Sequence, residues 1–325
     1  MRARELYWRS LAKCRTFTDY VNNKLKPFYC QLQQRNNHGI YAVNINAKVG
    51  FFAQLNWCLY IFAHCERFNL KPSVFLASPF YTRFKGENWL EYYFDSLKLT
   101  ETDRRLLDNG DAKYSYISDI EQMGLHADYG TQMTLEHANR LLGNNLRVKS
   151  EIQDYVGSFV EKHFGQRTIL GVHYRGTDKK SEAEPVKFEY VARTISNYLD
   201  ANPQVDALFV ASDEREFIEW IRTKFNRVEV MFHNDTERSR DGKAIHVQAA
   251  LGDNYIKGKE ALVNCLLLSK CDVLIRTSSF LSAWSSIFNP CLPVIMLNRP
   301  YKDKLWFPDA VIVKNSLQGY LPSQI

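Results

Sequence analysis

The chain has 325 residues, 45% hydrophobic and 24% charged, which is long enough for a sizeable core and for two domains. No stretch reaches the roughly 18 uncharged apolar residues of a membrane-spanning helix, and the N-terminus lacks the apolar core of a secretory signal, so a cytoplasmic protein is expected. The formal net charge of +6 sits entirely in residues 1–36, where eight Arg or Lys face only Glu5 and Asp19.

That basic segment also spaces Tyr7, Leu11, Cys14, Val21 and Leu25 as on one helical face, and Pro27 should end the helix. The pattern suits peripheral contact with an anionic membrane surface, or packing against the protein's own body. No nucleic-acid reading motif accompanies the charges, so a nucleic-acid partner is not expected.

From Ile40 an apolar run leads through Lys48-Val49-Gly50 to a helical pattern starting near Ala53, and a second extended run follows at Ser73–Ala77. Strand, glycine turn, helix and strand make one βαβ unit of a parallel sheet. Residues 86–145 give no clear period, although Trp89, Tyr92, Tyr93 and Phe94 form an aromatic cluster suited either to packing or to walling a sugar site.

A connecting helix over 147–164 precedes a cleaner alternation. Strands are predicted at 168–174, 207–211, 228–232, 272–276 and 293–297, and helices at 187–200, 214–225 and 258–270, with a further helix from Phe280. This is the signature of an α/β doubly wound sheet, whose ligand crevice lies at the carboxyl ends of its strands. The expected domains are a basic segment 1–36, an N-terminal α/β domain 37–146 on the acceptor side, and a Rossmann-like donor-binding domain 147–325.

Chemistry-bearing residues gather where that rule puts a ligand. His173, Arg175, Thr177, Asp178 and Lys179 follow the strand at 168–172; Ser212-Asp213-Glu214 follow the next; Arg276-Thr277-Ser278-Ser279 stand between a strand and a helix start. Hydroxyls and free amides at a helix start suit phosphate, though plain N-capping needs only one of them. An arginine offers a permanently charged planar fork for the charge that grows on a departing diphosphate, which makes Arg175 the candidate for that role. The chain contains no Asp-x-Asp segment, no GxxxxGK[ST] phosphate loop, no HExxH and no GxSxG, which argues against kinases, zinc proteases and α/β-hydrolases and favours metal-free chemistry. Seven cysteines without a CxxC pair suggest buried thiols rather than zinc or a disulfide framework.

His173-Tyr174-Arg175-Gly176-Thr177-Asp178-Lys179 resembles the HxRRTDK motif of the nodulation-factor and core alpha-1,6-fucosyltransferases. Lys48–Asn56, Ala211–Glu214 and Leu268–Ser279 are similar to that family's other short islands. The resemblance implies a GT-B architecture of two Rossmann-like domains facing across a cleft. It also implies GDP-fucose as donor, a glycan acceptor, inversion at the anomeric carbon and no metal or other cofactor. Carried onto this sequence, it places Arg175 at the β-phosphate, His173, Asp178 and Gly50 around the nucleotide, and Asp213 in the donor pocket. Thr277, Ser278 and Ser279 go to phosphate. The base is Glu182, or in second place Glu184, relayed by Lys179. From the aromatic cluster itself, and not from the resemblance, Trp89 and Tyr93 are the acceptor-side candidates.

Three departures stand out. Gly176 replaces a second arginine, Phe52 replaces a glycine, and Asn264 stands where the family has a guanine-reading aspartate. The amide at 264 leaves another GDP- or UDP-sugar open as donor. The missing arginine leaves open a member that binds without catalysis.

Overall fold

The computed structural model describes residues 37–117, 125–176, 181–233 and 253–322. The basic segment 1–36 lies outside them, as do Thr177, Asp178 and Lys179. None of the described helices is long and apolar enough to cross a membrane.

The N-terminal unit follows the predicted βαβ order closely. Strand β1 (Ile40–Ile45) leads through Lys48-Val49-Gly50 into helix α1 (Phe51–Phe68), which returns to β2 (Lys71–Leu76). β1 and β2 pair in parallel from Ile40 opposite Lys71 to Ile45 opposite Leu76. Helix α1 ends where Asn69 takes a left-handed conformation (φ 52°), and its backbone N–H caps the carbonyls of Cys65 and Glu66.

The stretch without a clear period resolves into short pieces. They are a 3-10 turn (Trp89–Tyr92), β3 (Phe94–Ser96), α2 (Glu101–Asp108), β4 (Ser115–Ile117) and α3 (Leu135–Asn145). β4 adds to the other edge of β1. Thr100 and Asp103 cap α2 reciprocally, a capping box written in the sequence as T-x-x-D. The expected helix over 147–164 begins later than predicted. Residues 146–148 form β5, antiparallel to β3, and α4 follows at Ser150–Phe159.

The C-terminal unit keeps the predicted alternation. It comprises β6 (Ile169–Tyr174), α5 (Phe188–Ala201), β7 (Ala207–Ser212), α6 (Arg215–Lys224), β8 (Glu229–Met231), α7 (Asn254–Leu268), β9 (Val273–Arg276), α8 (Phe280–Phe288), β10 (Val294–Met296) and α9 (Asp309–Asn315). Strand order is β10-β9-β6-β7-β8, all parallel. β6 and β7 are buried along their whole length, as strands covered by helices on both faces must be. One face packs under α5 and α6, with Val191, Ile195, Phe217 and Ile221 at its centre. The other face carries α7 and α8. The chain runs from β6 to β7 and β8 on one side, then crosses to β9 on the other, so the switch point lies between β6 and β9.

A single apolar core joins the two units. Phe52 of α1 meets Trp284 of α8 with ring centroids 5.7 Å apart. Asn56 Nδ2 donates to the Phe307 carbonyl at 3.1 Å, Asn139 Nδ2 to the Ile287 carbonyl at 2.9 Å, and the Tyr93 hydroxyl to the Tyr255 carbonyl at 2.8 Å. Phe52, the departure from glycine, is therefore a core side chain of the junction.

Because Trp284 has no exposed surface, Trp284→Ala should destabilise the protein by about 3–5 kcal/mol. Urea unfolding followed by circular dichroism should show that loss, whereas Cys291→Ser, at an exposed position, should change stability by no more than about 0.5 kcal/mol.

Candidate active site

Register alone aligns the site. His173 of β6 stands between Ala211 of β7 and Arg276 of β9, and Tyr174 opposite Ser212. The residues that follow, Arg175, Asp213 and Thr277, are thus delivered to one edge at the switch point. There a cleft of about 750 Å3 opens, walled on the N-terminal side by Lys48–Ala53 and Tyr81, and on the C-terminal side by the ends of β6, β7 and β9 and one face of α7.

Arg175 lines this cleft. Its backbone N–H donates to Thr277 Oγ1 at 2.9 Å, and its Nε lies 3.8 Å from Asp213 Oδ2, both side chains about one-fifth exposed. From across the cleft the hydroxyl of Tyr81 accepts the Phe51 N–H at 2.9 Å, capping the start of α1. Burial pushes that phenol up to about 12, against the opposing pull of the Phe51 N–H and of Arg175. His173 is buried, and its ring is held well below the usual imidazole range by desolvation first and then by Arg276 and Arg175. It is a neutral ring in this wall, and its Nδ1 meets no partner among the described residues.

The turn after β9 is built around Arg276, which has no exposed surface. Its Nη1 pairs with Asp309 Oδ1 at 2.8 Å, its Nη2 donates to the Ser279 carbonyl at 2.8 Å, and its Nε to the Thr277 carbonyl at 3.2 Å. Ser278 is held twice, by its N–H to Asn298 Oδ1 at 2.8 Å and by its hydroxyl to Asp309 Oδ2 at 2.7 Å. Ser279 occupies the N-cap position of α8 in extended backbone, and its hydroxyl meets no partner among the described residues. Ser279, Phe280 and Leu281 border the cleft, so the first turn of α8 turns its amides and one hydroxyl toward it. A helix start of this kind attracts phosphate through both its donors and its dipole.

This geometry sorts the sequence candidates. Gly50 lies in the cleft wall at the N-cap of α1, with open space where a Cβ would stand. Glu182 lines the cleft, and its carbonyl is tied to Tyr301 N–H at 2.8 Å. Glu184 is exposed and outside the cleft wall, so of these two glutamates only Glu182 borders the cleft. Asn264 is buried in the wall, its Nδ2 turned back onto the Glu260 carbonyl at 3.0 Å.

Three expectations change. Thr277 is not in the cleft wall, because its hydroxyl receives Arg175's amide and its own amide closes onto the His173 carbonyl at 3.0 Å; it braces Arg175. Ser278 borders the cleft, but its hydroxyl proton is committed to Asp309. Trp89 and Tyr93 have no exposed surface. They pack with Phe51 and Tyr81 in an aromatic core and cannot wall a sugar site. Four residues without a sequence assignment also matter: Asp309, Arg276 as its partner, and Lys257 with Glu260 on α7. For the last two a signal was present in the i, i+3, i+7 spacing of Lys257, Glu260 and Asn264.

The sequence profile described as nodulation protein Z (NodZ) matches residues 132–307, just over half of the chain. No curated protein matches the sequence. The chain is similar in structure to NodZ alpha-1,6-fucosyltransferase co-crystallized with GDP, with TM-score 0.51 and 16% identity over 79% of this chain and 94% of that one. A second likeness is to the same enzyme soaked with GDP-fucose (TM-score 0.50, 16% identity, 79% and 94%). A third is to fucosyltransferase NodZ from Bradyrhizobium (TM-score 0.50, 16% identity, 79% and 96%). At such identities the likeness concerns the fold, the GT-B arrangement of two α/β units across a cleft. With the profile matching more than half of its length, the chain belongs to the nodulation protein Z family.

Proposed function

We propose that the chain is an inverting fucosyltransferase that moves L-fucose from GDP-fucose to a hydroxyl of a glycan acceptor without a metal ion. The observation that carries this reading is Arg175, placed by β6 beside the open start of α8 in a cleft between two α/β units. The GDP and GDP-fucose bound by the similar NodZ structures support the donor. In this reading residues 147–325 hold the donor and residues 37–146 face the acceptor.

The diphosphate sits against the first turn of α8 and the Ser279 hydroxyl, with the Gly50 turn opposite. The acceptor oxygen attacks the anomeric carbon as the bond from that carbon to the β-phosphate oxygen breaks. The electron pair of that bond stays on the phosphate, where Arg175 stabilises it. The acceptor proton passes to the carboxylate of Glu182. Asp213, loosely paired with Arg175, orients the guanidinium. His173 stays neutral and adds no competing charge. Lys179 and Asp178, next in the motif, are assigned to the relay and to the donor. Positive potential for the leaving group comes from Arg175 and the helix start.

Transfer from GDP-fucose should therefore proceed undiminished in excess EDTA. Arg175→Ala should lower kcat by about 10²–10³-fold and Glu182→Gln by about 10²–10⁴-fold, both read from the release of GDP. Glu182→Gln should keep GDP affinity by calorimetry, and full activity in Arg175→Ala would overturn the assignment.

His173 gives a separate prediction. Its folded pKa lies below the unfolded value of 6.5, so the unfolded chain takes up the proton first. The stability due to its neutral ring is whole above pH 6.5 and declines as the pH falls below that value, by up to about 1.4 kcal/mol per pH unit for one proton. Urea midpoints between pH 7.5 and 5.5 should fall more steeply in the native protein than in His173→Asn.

A further inference from the structure

Among the described residues, the aromatic side chains Phe51, Phe52 and Tyr81 that border the cleft are buried, and Phe280 is half-buried. Trp306 borders it with 44% of its surface exposed. One exposed apolar side chain is ordinary on a protein surface. Trp306 is set apart because it is exposed in a concave wall and held there. Its N–H donates to the Lys304 carbonyl at 3.0 Å, and its carbonyl accepts the Ala310 N–H at 3.0 Å. The next residue, Phe307, is buried, and its carbonyl accepts Asn56 Nδ2 of α1 at 3.1 Å. The indole meets the His126 ring of the N-terminal unit with centroids 5.9 Å apart and planes at 66°. His126 in turn stands edge-on to the buried Tyr60 ring. An aromatic plate is thus fixed at the junction of the two units, which lowers the ordering that a ligand must impose.

The segment that carries this plate is tied to Glu182. The Glu182 carbonyl accepts the Tyr301 N–H at 2.8 Å, the Tyr301 carbonyl accepts the Lys304 N–H at 2.7 Å, and the Lys304 carbonyl accepts that of Trp306. Ala183 bridges Pro300 in antiparallel fashion. The backbones of Glu182 and Trp306 are thus joined by three hydrogen bonds, and both residues border one cleft. Ser181 and Lys304, both exposed, border it too. A flat apolar plate accompanied by a hydroxyl and an ammonium suits a ligand with apolar faces and a polar rim. A pyranose ring has that character, with C–H bonds on its faces and hydroxyls around its edge. In the transfer reading above, on which this rests, the acceptor hydroxyl has to reach Glu182, so the ligand that lies on the plate is the acceptor. We infer that Trp306 is the acceptor platform: a pyranose ring of the glycan stacks on its indole, with rim hydroxyls toward Ser181, Glu182 and Lys304.

Titration of the full chain, with GDP present, against cellotetraose, chitotetraose, maltotetraose and mannotetraose tests this, read from the indole N–H resonances. The Trp306 resonance is the one that disappears in Trp306→Phe. At least one of the four saccharides should move it. Trp306→Ala should bind that saccharide about tenfold or more weakly, and Trp306→Phe, which keeps a ring to stack on, within about threefold of the native chain. GDP affinity by calorimetry should be equal in all three proteins. If no saccharide moves the Trp306 resonance, or if Trp306→Ala binds saccharide as the native chain does, the platform is overturned, while turnover of GDP-fucose leaves the donor reading intact. Weaker GDP binding in Trp306→Ala would overturn it as well, by putting the indole on the nucleotide. A native chain that neither binds GDP nor turns over GDP-fucose would sink both readings together. Should Trp306→Ala fail to fold, Trp306→Leu takes its place, keeping apolar bulk without a flat face, and native saccharide affinity in that variant overturns the platform.

Discussion

Arg276 carries a full positive charge with no surface in contact with water, and the cleft wall is arranged to neutralise it. A buried charge is tolerated only when its donors are met and a counter-charge stands beside it. Here Asp309 supplies the charge, and the carbonyls of Thr277 and Ser279 accept two further donors. Meeting that demand bends the chain between β9 and α8 into one conformation. The bend sets Ser278 against Asp309 and Asn298, and it leaves the start of α8 aimed at the cleft. The same charge, second to burial, helps keep His173 neutral. The conformation of this turn in the cleft wall thus follows from the solvation of a fully buried residue.

Two arginines at neighbouring strand ends therefore have different work, decided by burial. Arg276 is held at 2.8 Å by Asp309 with no exposed side-chain surface, and it shapes the backbone. Arg175 is held at 3.8 Å by Asp213 and is one-fifth exposed. A tight buried pair has little left to give an incoming anion, whereas a loose pair at a cleft can exchange part of its interaction for the ligand's.

The parallel alternation of the C-terminal unit was legible because β6 and β7 are buried on both faces, which writes near-continuous apolar runs into the sequence. The position of the site was legible for a related reason. Strands in register end together, so polar residues after each predicted strand had to meet. The stretch 86–145 was not legible: its strands are three residues long and too short to show a period. Trp89 and Tyr93 were read as a sugar wall because an aromatic cluster has the same composition inside a core as beside a ligand. Only their contacts with Phe51, Tyr81 and Tyr255 distinguish the two. Asp309 had no local signal, since a counter-ion is chosen by distance in space rather than along the chain. Glu182, the nearer of the two glutamates to the motif, borders the cleft, and Glu184 does not.

Gly176, where the family has a second arginine, is coupled to its surroundings. A Cβ built at 176 would fall 2.4 Å from Glu214 Oε1 and 2.8 Å from the Tyr174 hydroxyl. The tyrosine cannot retreat easily, because its hydroxyl donates to the Val186 carbonyl at 2.8 Å and its ring stacks on Phe217 with centroids 4.3 Å apart. Any side chain at 176 would also require the Glu214 carboxylate to shift. The glycine and the glutamate thus exclude each other's alternatives. An arginine restored at 176 would meet a crowded site even with a smaller residue at 214, because the Tyr174 hydroxyl would still lie 2.8 Å from its Cβ. A chain that had merely lost a catalytic cation would leave a gap at 176. In this chain the Glu214 carboxylate, next to Asp213 in the sequence, occupies that space.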